Sequence, residues 1–189
     1  DFLGAVENFF SKCAPAMFMG WSNLNFDRRM FHFNFFKGNR YPYATHSSPN
    51  QEHDGLHIAR AAQTLNPETL KTELTEAGNP SLALESLSRM QGFDTSASHT
   101  AYVDAHNSLR VLRIIKDKHK ENWERFLKTS TKSSVETLLT NDGIYSIFEN
   151  VKGRNMMYLV STLHPKHSFH PTYASWGYLW DLRRDPEPL

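Results

Sequence analysis

A chain of 189 residues with 21 Lys and Arg against 20 Asp and Glu carries a formal charge of +1, which argues against a protein held to nucleic acid or membrane by bulk electrostatics. With 39% hydrophobic residues, 13 Phe, 7 Tyr and 4 Trp, it has apolar surface enough for one packed domain over 1–189, and its mean hydropathy of −0.56 suits a water-facing exterior. A single cysteine excludes an internal disulfide, and no apolar run reaches the roughly 18 residues of a membrane-spanning helix.

In chain order, Phe2, Leu3, Val6, Phe9, Phe10 and Cys13 recur at 3.6-residue spacing, which predicts a helix over 1–14 with a buried structural thiol, ended by Pro15. Phe31, Phe33 and Phe35 alternate with polar or sulfur-bearing neighbours, and Lys37-Gly38-Asn39-Arg40 reads as a turn, so 29–44 is expected to be a hairpin with Pro42 on its edge strand. Its aromatic face is expected to pack on helices. Residues 45–52 read as a loop. Asn66-Pro67 and Asn79-Pro80 read as helix starts and Gly78 and Gly92 as helix ends, giving expected helices over 53–65, 67–77 and 80–91.

Tyr102, His106, Leu109, Leu112, Ile115, His119, Trp123 and Phe126 predict one long helix over 97–128 with these residues on its inner seam, and a shorter helix follows at 132–140. Residues 144–163, around Lys152-Gly153-Arg154-Asn155, predict a second hairpin, whose first arm also fits a helix. Residues 183–189 read as a frayed polar tail.

The ten histidines are the main candidates for chemistry. On a helix His53 and His57 would project from one face, a spacing that suits Zn²⁺, with Asp54 where the zincin His-Glu-x-x-His pattern places its base. His164, His167 and His170 lie three apart in a proline-flanked loop and could supply a third ligand. The plainer alternative has His53 and Asp54 capping the helix and His57 packing on its inner face. His99, Asp104, His106 and His119 on the long helix allow either hydrogen-bonded core histidines or a general base lining a pocket. Trp176, Tyr178 and Trp180 form an aromatic block suited to contact with another protein.

Glu52-His53-Asp54 with Arg60, followed by Asn66-Pro67-Glu68-Thr69-Leu70, resembles the Glu-His-Asp…Arg segment of heme-thiolate peroxidases. That resemblance implies heme, with Glu52 and His53 in the distal or cation-supporting region. The family's thiolate comes from a Pro-Cys-Pro motif, whereas the thiol here sits in Lys12-Cys13-Ala14-Pro15. Separately, the run from Tyr102 to Arg110 is similar to the opening helix of the CAP domain. The chain is assigned to neither family.

The sequence therefore predicts an α+β, helix-rich single domain with antiparallel hairpins near both ends. Its leading functional reading is a non-catalytic binding protein with a protein partner and no nucleic acid. Secretion, as an effector, is favoured over the cytoplasm because Asp1 reads as a processed start. The alternative is a zinc hydrolase using His53, Asp54 and His57 with a third ligand from 164–170, and heme binding stands behind it.

Overall fold

The computed structural model describes residues 1–96, 98–140, 143–163, 172 and 177–185. Asp1 caps helix α1 (Phe2–Cys13), its carboxylate accepting from the Leu3 amide at 3.1 Å. The expected apolar stripe forms, and Phe10 carries it into the interior. Cys13 is exposed rather than buried, because it is the last residue of the helix and lies past the aromatic cluster around Phe10.

The hairpin expected over 29–44 is instead helix α2 (Asp27–Lys37), followed by irregular turns. Aromatics two apart suit a strand face, but Phe31 and Phe35 are also four apart, and on a helix they share one side. That side meets Phe10, whose ring is edge-on to Phe31 at 5.4 Å and to Phe18 at 5.0 Å and stacks on Phe35 at 6.3 Å. Packing of α2 on α1 thus overrides the β propensity of the aromatics. Phe35 is buried, while Phe33 and Phe36 face water.

The short run β1 (Met17–Gly20) pairs in parallel with β2 (Gln51–Asp54), Met17 opposite Gln51 and Gly20 opposite Asp54, with α2 in the crossover. The helix expected over 53–65 therefore starts only after the strand, as α3 (Gly55–Leu65). Gly55 is required by contact rather than by torsion. A Cβ there would come within 2.9 Å of the Gly20 carbonyl and 3.1 Å of the Trp21 ring.

No helix forms over 67–77, since side chains capture the backbone first. The Glu68 amide donates to Asn66 Oδ1 at 3.0 Å, the Leu70 amide to Gln63 Oε1 at 3.0 Å, and the Thr69 hydroxyl to the Asn66 carbonyl at 2.7 Å. The helix expected over 80–91 shortens to α4 (Leu84–Met90). The long helix expected over 97–128 breaks at His119 into α5 (Ala101–Lys118) and α6 (Lys120–Leu127). His119 leaves helical geometry at ψ 42° and shares a 2.7 Å hydrogen bond between Nε2 and Thr69 Oγ1. Tyr102 and His106, expected on the inner seam, are exposed, and the buried side of α5 carries Asn107, Ser108, Val111, Leu112 and Ile115.

Helix α7 (Lys132–Thr140) and the hairpin of β3 (Ile144–Val151) and β4 (Arg154–Thr162) match expectation. The hairpin closes on Lys152-Gly153 at φ 50° and 81°, the left-handed pair a two-residue turn requires. Strand β5 (Leu179–Asp181) pairs antiparallel with β4. The fold is α+β and helix-rich, with an antiparallel hairpin near one end only. Its core joins Ile58, Ala59 and Ala62 of α3 to Leu70, Leu82, Leu87, Val111, Leu112 and Ile115. This cluster packs α3, α4 and α5 against one another, and the polar groups of interest lie near the starts of these helices.

Candidate functional site

Glu52, His53 and Asp54 are all buried on β2, an unusual polar load for so short a strand. Each is hydrogen-bonded. Asp54 Oδ1 accepts from the Ser22 amide at 2.8 Å and the Leu56 amide at 2.9 Å, and Oδ2 from the Leu24 amide at 3.3 Å. Glu52 accepts from Arg28 Nε at 2.8 Å and Asn23 Nδ2 at 3.1 Å. Together the two carboxylates anchor the loop that leads into α2 and cap α3.

This geometry bears directly on the zinc motif. The strand–helix boundary falls between Asp54 and Gly55, so His53 and His57 do not share a helical face. The Asp54 amide donates to His53 Nδ1 at 2.8 Å, and His53 Nε2 donates to the Phe126 carbonyl at 2.8 Å, so both ring nitrogens are already engaged. Asp54 is 0% exposed and receives three backbone N–H groups, which leaves it no route to a bound water. Among the described residues no three His, Cys, Asp or Glu are grouped to hold a metal ion. The third-ligand candidates His164, His167 and His170 lie outside the described residues, as does Trp176. Of the remaining aromatic block, Tyr178 is exposed and the Trp180 indole donates to the Arg184 carbonyl at 3.2 Å.

Among the described residues, His46, His57 and His119 sit below the ordinary imidazole value. Burial is the first cause for His57, opposed by Asp54, and for His46, where Arg28 pushes the same way. Burial also lowers His119, against the carbonyl of Ala62. Below the unperturbed value of 6.5 the unfolded chain binds protons that these folded imidazoles refuse, so stability falls as pH drops through that value. Urea unfolding followed from about pH 8 to about pH 5 is expected to show a declining midpoint, with a shallower decline in His119→Gln. A flat profile in the parent protein would contradict this account.

A different group has the marks of a working site. His99 precedes α5 at φ 70°, a conformation that costs a non-glycine residue energy and that collects at functional positions. Its side chain is 83% exposed. The His99 amide donates to Asp104 Oδ1 at 3.3 Å, which stabilises the turn, and its Nε2 stands 3.5 Å from Glu85 Oε2. Glu85 lies in the first turn of α4 beside Arg89, which in turn holds Glu73 through bonds of 3.0 and 2.8 Å. An accessible imidazole facing a carboxylate can accept a proton from water and hold the charge it gains. The spacing of His99 and Asp104 was visible in the sequence; the break that frees His99 from the helix was not.

The fold is similar to that of part of exonuclease I. Escherichia coli exonuclease I in complex with a dA16 oligonucleotide matches 99% of the chain with a TM-score of 0.81 at 20% identity, using 40% of the solved chain. Exonuclease I from Methylocaldum szegediense matches 99% with a TM-score of 0.79 at 20% identity, again over 40% of that chain. By sequence, exodeoxyribonuclease I of Haemophilus influenzae is 25% identical over 173 residues, covering 90% of this chain and 36% of the relative. That of Buchnera aphidicola subsp. Baizongia pistaciae is 27% identical over 198 residues, covering 100% and 39%. The chain thus spans well under half the length of these relatives. No protein-family model matches it.

These likenesses correct the leading functional expectation. The relatives are DNA exonucleases, not non-catalytic effectors, and the hydrolase alternative fits them better. The expectation of no nucleic-acid partner falls as well, since solved relatives hold dA16 and dT13 oligonucleotides, and the preference for a secreted protein falls with the effector reading. A net charge near zero does not exclude a strand, because it sums over a whole chain, whereas a strand is held by a few local cations.

Proposed function

We propose that this chain serves in an exodeoxyribonuclease, hydrolysing phosphodiester bonds at the end of a DNA strand. The observation that carries the reading is the alignment of the entire chain with exodeoxyribonuclease I, at 27% identity over 198 residues, on a fold common to oligonucleotide-bound exonucleases. In this reading His99 takes the proton of the attacking water, Glu85 faces the ring where the charge of an imidazole base would fall, and Asp104 holds the turn that presents it. Each group has one task, and the His99 side chain is the most exposed of the three, placed to meet a substrate oxygen.

The test is to incubate the chain with an end-labelled dT13 strand and resolve the products by length. Progressive shortening from one end is expected. Absence of both shortening and strand binding would overturn the proposal, and cleavage confined to the interior would overturn its exonucleolytic part.

A further inference from the structure

A cavity of about 360 Å³ opens between the Trp21–Ser22 turn, α3, the segment before α4 and the tip of the β3–β4 hairpin. Among the described residues its lining carries one ionisable side chain, Arg60, and no carboxylate. The polar remainder includes Thr75, Ser81, Asn150 and Asn155. Arg60 Nε is buried and has no hydrogen-bond partner, and no carboxylate pairs with this guanidinium among the described residues. A buried donor left unsatisfied is costly, so this Nε–H calls for a partner.

The walls are held firmly. Trp21 Nε1 donates to the Leu82 carbonyl at 3.1 Å, Asn150 Nδ2 to Asn155 Oδ1 at 3.0 Å, and the Gly153 amide to Asn150 Oδ1 at 3.2 Å. Lys152 and Arg154, both exposed, flank the lining residue Gly153 in the chain. The cavity also lies close to the proposed site of hydrolysis. Ala83 lines it and Glu85, which faces His99, follows two residues later, at most about 7 Å along the chain.

We infer that this cavity is a phosphate subsite, in which Arg60 holds a backbone phosphate of the DNA strand while a neighbouring phosphodiester lies at His99. A planar guanidinium with free donors matches two phosphate oxygens, and neutral Asn, Ser and Thr groups supply further donors without repelling the anion. The inference rests on the exonuclease reading for the identity of the strand.

Fluorescence anisotropy with a labelled phosphorothioate dT13, which resists hydrolysis, tests it across a salt series. Arg60→Gln is expected to weaken binding about ten-fold and to lower the slope of log affinity against log salt by about one. Asn155→Asp keeps the oxygen that accepts from Asn150 but places a negative charge in the cavity, and a similar loss is expected without disturbing the hairpin. Lys132→Gln, on α7 and already paired with Glu136 at 3.4 Å, should leave the affinity unchanged. If the parent chain binds the strand and both cavity variants keep its affinity and salt slope, the subsite is overturned while the exonuclease reading stands. If the parent chain binds no strand, the exonuclease reading itself falls and this inference with it. If inorganic phosphate shifts the amide resonances of Ser81 and Gly153 while Arg60→Gln leaves strand affinity untouched, the cavity takes free phosphate and its assignment to the strand is overturned.

Discussion

Asp54→Ala is expected to cost roughly 3–5 kcal/mol of folding stability, read as a drop in the urea midpoint at unchanged slope. The side chain is 0% exposed and accepts from the amides of Ser22, Leu24 and Leu56. Alanine removes every one of these acceptors at once. The helix α3 loses its N-cap, worth about 1 kcal/mol, and the two loop amides are left without partners, each costing on the order of 1–3 kcal/mol. Ser22 sits at φ 59°, so the loop depends on these bonds to keep a conformation it would not choose alone. Asp54→Asn retains Oδ1 and with it the bonds to Ser22 and Leu56, but turns an amide donor toward Leu24, so a smaller loss is expected. A zinc hydrolase with Asp54 as its base would behave differently, losing activity with its stability nearly intact. Equal stability of Asp54→Ala and the parent would remove the anchoring role argued here.

His99→Asn is expected to lower the rate of strand shortening about 10²- to 10⁴-fold, the usual contribution of a positioned acid–base group. Asparagine is among the residues that tolerate positive φ, so the turn at 70° should survive the change. The side chain it replaces is 83% exposed, so little packing is lost. Stability and affinity for a hydrolysis-resistant strand should therefore stay close to those of the parent, and the loss should fall on turnover. A rate within about five-fold of the parent would take His99 out of the chemistry, because a general base cannot be removed so cheaply. Loss of strand binding instead of turnover would make it a contact residue.

The two substitutions reverse the emphasis that sequence spacing suggests. His53, Asp54 and His57 look like a reactive motif because their separation matches one helical turn, yet two of the three belong to a strand. Spacing carries meaning only once the element is known, and the strand is created by a partner, β1, that lies more than thirty residues earlier in sequence. The same limit explains α2. Phe31, Phe33 and Phe35 fit a strand by alternation and a helix by the separation of the outer pair, and contact with Phe10 decides between them. His99 was set on a helix for the converse reason: periodicity extended that helix over it, while the structure begins the helix at Ala101.

Local chemistry was enough wherever the signal and its effect lie within a few residues. The capped first helix, the short helix at 132–140, the Lys152-Gly153 hairpin and the helix-rich α+β class all follow from periodicity, capping and turn residues, which act over one or two turns of chain. Tertiary structure alone decided the parallel pairing of β1 with β2, the inward turn of His119 to Thr69, the burial of Asp54 and the gathering of Arg60 with the hairpin tip. Each of these joins segments far apart in sequence, and their energies come from desolvation and hydrogen bonds that exist only after the chain has closed on itself.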